Sequence, residues 1–154
     1  MKKLVQVICV LLCSMMIGCS LPSASKKYVK KYVIVKQLDY ASIDEIAVAI
    51  ENELKESDET AEVEIYSGQN DQSTLMQIGE QAVTDGADII IPIGTLAAQT
   101  MVVVSEDTEI PVVYATISDP EAASLTGIDR VTGTSDALNT KQFVDMMLKQ
   151  NPNL

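Results

Sequence analysis

Ala87-Asp88-Ile89-Ile90-Ile91-Pro92-Ile93-Gly94-Thr95 is the stretch that decides the fold of this chain. From Ala87 to Ile93 it is almost continuously apolar and β-branched. That is the pattern of a strand covered on both faces inside a parallel sheet; a strand with one face in water alternates instead. Pro92 has no amide donor, and its place near the strand end is where that loss is tolerated. Gly94-Thr95 punctuates, and Thr95 to Ser105 reads as the next helix. Parallel strands need such crossovers, usually helical.

The same alternation extends in both directions. Upstream, Tyr32 to Leu38 reads as a strand. Ser42 to Lys55 sets Ile43, Ile46, Ala47, Ile50 and Leu54 on one helical stripe, with Ser42 and Glu45 at capping-box spacing. Ala61 to Tyr66 alternates with period two, as a strand near a sheet edge does. Leu75, Ile78, Ala82 and Val83 mark a helix that stops at Asp85-Gly86. Downstream, Ile110 to Ala115 is a buried strand. Asp119-Pro120-Glu121 opens a short helix with Asp as cap. Arg130 to Thr134 is a last short strand, and Thr140 to Gln150 a helix with Phe143 and Met147 on one side. Met76, Met101, Met146 and Met147 are expected to fill the core. The order predicts an α/β fold, a doubly wound parallel sheet flanked by helices.

Before this domain stands a different kind of segment. Lys2 and Lys3 precede an apolar run from Leu4 to Ile17, followed by Gly18-Cys19. A basic start, a short apolar run and a small residue at the cut read as a secretory signal, too short for the roughly 20 residues of a membrane span. Met16-Ile17-Gly18-Cys19 resembles the lipobox of bacterial lipoproteins. That resemblance implies a signal peptide over 1–19, a diacylglyceryl group on Cys19, and a lipid-anchored protein on the extracytoplasmic face of the cell membrane. Residues 20–30 read as a flexible tether and 31–154 as the domain.

Composition narrows the chemistry. The chain holds 22 acidic and 11 basic residues, and such a charge is repelled by nucleic acid. It has no His, and with Cys9 and Cys13 in the signal and Cys19 lipidated, the domain has no thiol. Ser-His and Cys-His catalysis and His/Cys zinc sites are thereby excluded within it. Lys36 to Ile43 contains no Gly, so no dinucleotide fingerprint follows the first strand, and no cofactor is expected.

In such sheets ligands bind outside the carboxyl ends of the strands. The residues expected there are Asp39 and Tyr40, then Gly94 and Thr95, then Thr116, Ser118 and Asp119, then Ser135 and Asp136. Hydroxyls and helix amides suit a carboxylate, and an Asp suits an ammonium, so the set fits a small zwitterion. Ser, Thr and Asp at helix starts are equally the residues of plain caps.

Four blocks, in order, carry a family resemblance: Gly68-Gln69-Asn70-Asp71-Gln72-Ser73-Thr74-Leu75, Gly94-Thr95-Leu96-Ala97-Ala98-Gln99, Ile110 through Pro120, and Val131-Thr132-Gly133-Thr134-Ser135-Asp136. Together they resemble the tryptophan/tyrosine-type substrate-binding lipoproteins of ABC transporters, across Lys31 to Leu154. The resemblance implies one lobe of a type I periplasmic-binding fold. It implies capture of a small solute, often an aromatic amino acid, for a permease driven by a separate ATPase, with closure of two lobes as the mechanical step. The ligand-binding residues it implies are Thr95, Leu96, Ser118, Asp119, Ser135 and Asp136; Tyr40 joins them as a stacking residue. After the first strand the family commonly has Glu-His-Pro-x-Leu-Asp, where this chain reads Asp39-Tyr40-Ala41-Ser42-Ile43-Asp44. The second lobe of the family is not in this sequence, which sets a truncated receptor against a one-lobe interaction module or a remnant that no longer transports. No nucleophile–base pair supports an enzyme.

Overall fold

The computed structural model describes residues 28–151. The expected signal segment, Cys19 and most of the tether lie outside the described residues. The elements run β1 (Lys31–Lys36), α1 (Ala41–Ser57), β2 (Glu62–Ser67), α2 (Gln72–Thr84), β3 (Ile89–Ile93), α3 (Thr95–Val104), β4 (Val112–Tyr114), β5 (Val131–Gly133) and α4 (Thr140–Gln150). All five strands pair in parallel, in the order β2-β1-β3-β4-β5. The near-continuous apolar run is the central strand, and the alternating segment is an edge strand, as their patterns predict.

Successive side chains of a strand face opposite sides, and both sides here are covered. Val33, Val35, Ile90 and Val112 pack with Leu75 and Ala82 of α2 and Ala97 and Met101 of α3. Tyr32, Ile34, Ile91 and Ile93 pack on the other face, where Ala47, Ile43, Ile46 and Ile50 of α1 cover them. Ile34, Leu75, Ile90, Ile93 and Met101 are fully buried. At about 2 kcal/mol for each such side chain, these residues of β1, α2, β3 and α3 hold the sheet together. A third cluster, with Tyr114, Ile117, Ala123 and Leu125 around Ala98, fixes the loop that follows β4.

Pro92 lies inside the sheet, paired with Val35. Its carbonyl accepts the Ala115 N–H at 2.9 Å, while Ile90 N–H donates to Pro111 and Gly94 N–H to Ala115. Its missing donor therefore falls on the β4 side. The β3–β4 ladder is reduced to the Ile90–Val112 pair and an isolated Ile93–Ala115 bridge. The β1–β3 ladder, built from the opposite edge of the strand, is intact.

Helix ends follow local chemistry, with two corrections to the sequence reading. Asp71 caps α2, its Oδ1 accepting the Thr74 N–H at 2.7 Å. At the other end Ala87 N–H reaches the Ala82 carbonyl and Gly86 N–H the Val83 carbonyl, with Gly86 at φ 72, a Schellman stop. The Ser42–Glu45 capping box does not form: α1 begins at Ala41, one residue before Ser42, so Ser42 already lies inside the first turn and Tyr40 is the uncapped boundary. The short helix expected after Asp119 is a set of turns instead, because Gly127 and the left-handed Ser124 (φ 59) end any continuation.

α4 is exposed along its whole length, with Phe143, Met146 and Met147 each 51% exposed. Met101 is core, but Met76, 39% exposed on α2, and Met146 and Met147, on the wholly exposed α4, are not. Among the described residues no helix is long and apolar enough to cross a membrane.

Candidate functional site

The chain order reverses between β1 and β3, so the carboxyl ends of these two strands form the topological switch point of the sheet. A cleft of about 580 Å³ opens there. Gln37 and Leu38 enter it from the end of β1. Ser42, Ile43 and Ile46 enter from the first turns of α1, Gly94 and Thr95 from the β3–α3 junction, Thr116 from the end of β4, and Asp136 from beyond β5. Ile43 and Ile46 make the wall from α1 mainly apolar, with Ser42 beside them; the floor and far side are hydroxyl, amide and carboxylate.

Two of these residues hold unusual backbone. Gly94 has φ 99 and ψ 155, a region open essentially to glycine alone, and this lets the chain turn from β3 directly into α3. Thr116 is β-branched yet has φ 56, and its Oγ1 donates to the Ala115 carbonyl at 2.7 Å. A β-branched residue there is an outlier, and it lies at the cleft.

The loops after β4 and β5 are joined. Ser118 Oγ donates to Asp136 Oδ1 at 2.8 Å, Ser135 Oγ to the Ser118 carbonyl at 3.3 Å, and the Ala137 N–H to Ser135 Oγ at 3.1 Å. Ser118 is thus tied to Ser135 and Asp136, 17 and 18 residues on, and of the three Asp136 lines the cleft. The other expected residues separate from it. Asp119 Oδ1 accepts the Ala122 N–H at 2.9 Å and its carbonyl the Ala123 N–H, so its carboxylate caps the following turn. Tyr40 is 64% exposed and is not among the residues lining the cleft. Leu96 packs its side chain on the core, and its N–H is bonded to Gln37 Oε1 at 3.0 Å.

Gln37 is the residue the sequence reading missed. A strand drawn to Leu38 makes Gln37 an interior strand position. β1 ends at Lys36, and Gln37 is the first residue past it. The available signal was the polar run Lys36-Gln37 breaking an apolar strand.

Lys36, at the end of β1, binds Asp39 Oδ1 at 2.7 Å and Asp44 Oδ1 at 2.5 Å, tying the β1–α1 loop to the first turn of α1. Gln69 Nε2 donates to Asp39 Oδ2 at 2.5 Å. The Lys36 ammonium, then the Gln69 amide, hold the Asp39 carboxyl down at about 2. A folded value below the ordinary 3.8 means that this contribution to stability is complete above that pH and is lost as pH falls from 3.8 toward 2. A carboxyl-detected NMR titration is expected to show Asp39 with a midpoint near 2 in the wild type and a higher one, still below 3.8 because the Gln69 and Ser67 hydrogen bonds remain, in Lys36→Met. Equal midpoints in the two proteins would remove Lys36 as the cause.

An α/β lobe with a polar cleft at its switch point is a periplasmic-binding-like lobe, a fold for holding small molecules. The chain belongs to the ABC transporter substrate-binding protein family, whose model matches residues 31–154. Solved structures agree. One is an ABC domain in complex with L-Trp from Streptococcus pneumoniae, 28% identical with a TM-score of 0.71. Another is the ligand-free, open structure of a substrate-binding protein with adhesive properties from Clostridium difficile, 26% identical with a TM-score of 0.70. A conserved domain protein from Vibrio cholerae, 22% identical with a TM-score of 0.72, shares the fold. The matches cover 82%, 79% and 82% of this chain, and only 45%, 43% and 45% of the respective structures. The chain thus spans less than half the length of the proteins it resembles. A search of curated proteins gave no match.

Proposed function

We propose that this chain is the solute-capturing component of an ABC importer, lipid-anchored through Cys19 on the extracytoplasmic face of the membrane, and that its solute is an amino acid with an aromatic side chain. The observation that carries the proposal is the composition of the switch-point cleft. Thr95 offers a hydroxyl at the start of α3, Asp136 a carboxylate with the Ser118 hydroxyl bonded behind it, and Ile43 and Ile46 an apolar wall. Thr95 and Ser118 suit the carboxylate of a zwitterion, Asp136 its ammonium, and the isoleucines its ring. The L-Trp held by the Streptococcus structure supports the aromatic choice. Such a protein carries out no reaction: it binds, hands the solute to permease and ATPase subunits, and releases it.

Calorimetry on the full chain tests this. L-Tryptophan is expected to give saturable heat and to raise Tm in proportion to the logarithm of its concentration, while L-glutamate gives neither. Asp136→Ala is expected to weaken tryptophan binding at least tenfold, on the order of 1.4 kcal/mol. Asp119→Ala, a turn cap outside the cleft, is expected to leave it within about twofold, and the reverse ranking would move the ammonium site to Asp119. The absence of heat with tryptophan, tyrosine and phenylalanine alike would overturn the aromatic assignment.

A further inference from the structure

The N-terminus of α3 meets the floor of the cleft, and its N-cap is Gly94, a residue with no side chain to satisfy the first helical amides. Gln37 satisfies one from a distant part of the chain. The Leu96 amide can only donate, so the carboxamide end facing it, at 3.0 Å, is the oxygen. The nitrogen end then donates to Asn70 Oδ1 at 2.8 Å. The Gln37 backbone is engaged as well: its N–H donates to the Ile93 carbonyl at 2.9 Å, and its carbonyl accepts the Asn70 N–H at 2.7 Å. Gln37 therefore joins β3, the start of α3 and the Gln69–Asn70 turn. Both residues of that turn are left-handed, with φ 52 and 56. The space is built for this side chain, since a Cβ on Gly94 would come within 2.7 Å of Gln37 Oε1 and 2.9 Å of Gln37 Cβ.

We propose that Gln37 is a specificity-determining residue of the cleft, an internal acceptor that occupies the Leu96 amide and so withholds it from solute carboxylates. Solute anions are left to Thr95 and Ser118. The cleft thereby selects on the groups beyond β4 and β5 and not on the helix terminus. Only the location of the cleft is taken from the solute-binding proposal, and the test needs no solute.

The probe is sodium acetate, with sodium chloride at matched ionic strength as the control, followed by amide NMR on the full chain. In the wild type the Leu96 amide is expected to hold its position across the titration. In Gln37→Ala it is expected to shift saturably, at least fivefold more than in the wild type at equal acetate. Gln37→Glu keeps an acceptor against Leu96 and adds a negative charge. Its Leu96 amide is expected to ignore acetate, while the Asn70 side-chain carboxamide signals shift because the donor to Asn70 Oδ1 is gone and the Asn70 backbone N–H stays protected by the Gln37 carbonyl. An acetate shift of the same size in wild type and Gln37→Ala overturns the proposal, and so does a responsive Leu96 in Gln37→Glu. The Gln37→Glu result stands even if Gln37→Ala fails to fold. Because acetate is the only ligand, a failure to bind tryptophan has no bearing on the outcome.

Discussion

Gly94→Val is expected to lower Tm by about 10 °C or more and to abolish binding in the cleft. Two costs act at one atom. The Gly94 backbone sits at φ 99 and ψ 155, where a β-branched residue is strained by about 2 kcal/mol or more. The new Cβ also meets Gln37 Oε1 at 2.7 Å and Gln37 Cβ at 2.9 Å, an overpacking cost of about 1–3 kcal/mol. A loss of about 4 kcal/mol in a domain of this size corresponds to a Tm shift of that order. The two costs separate in a double-mutant cycle. Removing the Gln37 carboxamide in a Gly94→Val background relieves the 2.7 Å contact with Oε1 and leaves the 2.9 Å contact with Cβ and the backbone strain. Gln37→Ala, harmful alone because it strips an acceptor from Leu96, is therefore expected to cost less in that background, by the share of the clash that Oε1 carries. Strict additivity of the two changes would show that the Gln37 contact does not set the requirement for glycine. Differential scanning calorimetry of the four proteins reads both quantities.

This position also marks what the sequence could and could not reveal. A Gly after a buried strand signals a tight turn or a close approach, and that much was legible from Gly94 itself. The group that approaches was not, because Gln37 comes from the end of another strand and periodicity says nothing about tertiary neighbours. The parallel sheet was legible for a related reason. Burial on both faces leaves a continuous apolar run in β3, and burial on one face leaves alternation in the edge strand β2, so each pattern reports the environment directly. Ends were less legible than middles. The capping-box spacing at Ser42 was real, but the helix began one residue earlier, and spacing alone does not fix phase. Asp119 had the right neighbours for a cap and the right place for a ligand, and its bond to the Ala122 N–H shows that it forms the cap. Ser118, Ser135 and Asp136 were each placed correctly at strand ends. Their meeting through two hydrogen bonds depends on β5 pairing with β4, which no local pattern encodes.

That pairing makes Gly133→Val the second large effect, and one of a different kind. Gly133 lies opposite Tyr114 in the β4–β5 ladder, and a Cβ there would stand 2.1 Å from the Tyr114 carbonyl oxygen, 2.4 Å from its Cδ2 and 2.6 Å from its Cγ. The nearest of these is backbone in a strand fixed by the core, so rotamer changes give no relief. β5, however, is three residues long and at the sheet edge, with Val131 only half-buried and Thr132 and Gly133 exposed. The strand can escape by leaving the sheet. The stability lost is then capped at what its docking contributes, on the order of 3 kcal/mol from the part-burial of Val131 and its ladder hydrogen bonds, and the fold survives. The cleft does not, because Ser135 and Asp136 follow within three residues and leave with the strand, breaking both of their bonds to Ser118. The expected result is a folded protein with a Tm lowered by about 5–10 °C. Its Thr134 amide, which donates to the Tyr114 carbonyl at 3.0 Å, loses exchange protection, and its affinity for tryptophan falls at least as far as in Asp136→Ala. Thr132→Ala, on the exposed face of the same strand, is the control and is expected to change stability by no more than about 0.5 kcal/mol. Retained protection at Thr134 in Gly133→Val would mean that β4 yields instead of β5. The core around Ala98, Ile117 and Leu125 would then carry the loss, seen as a much larger drop in Tm.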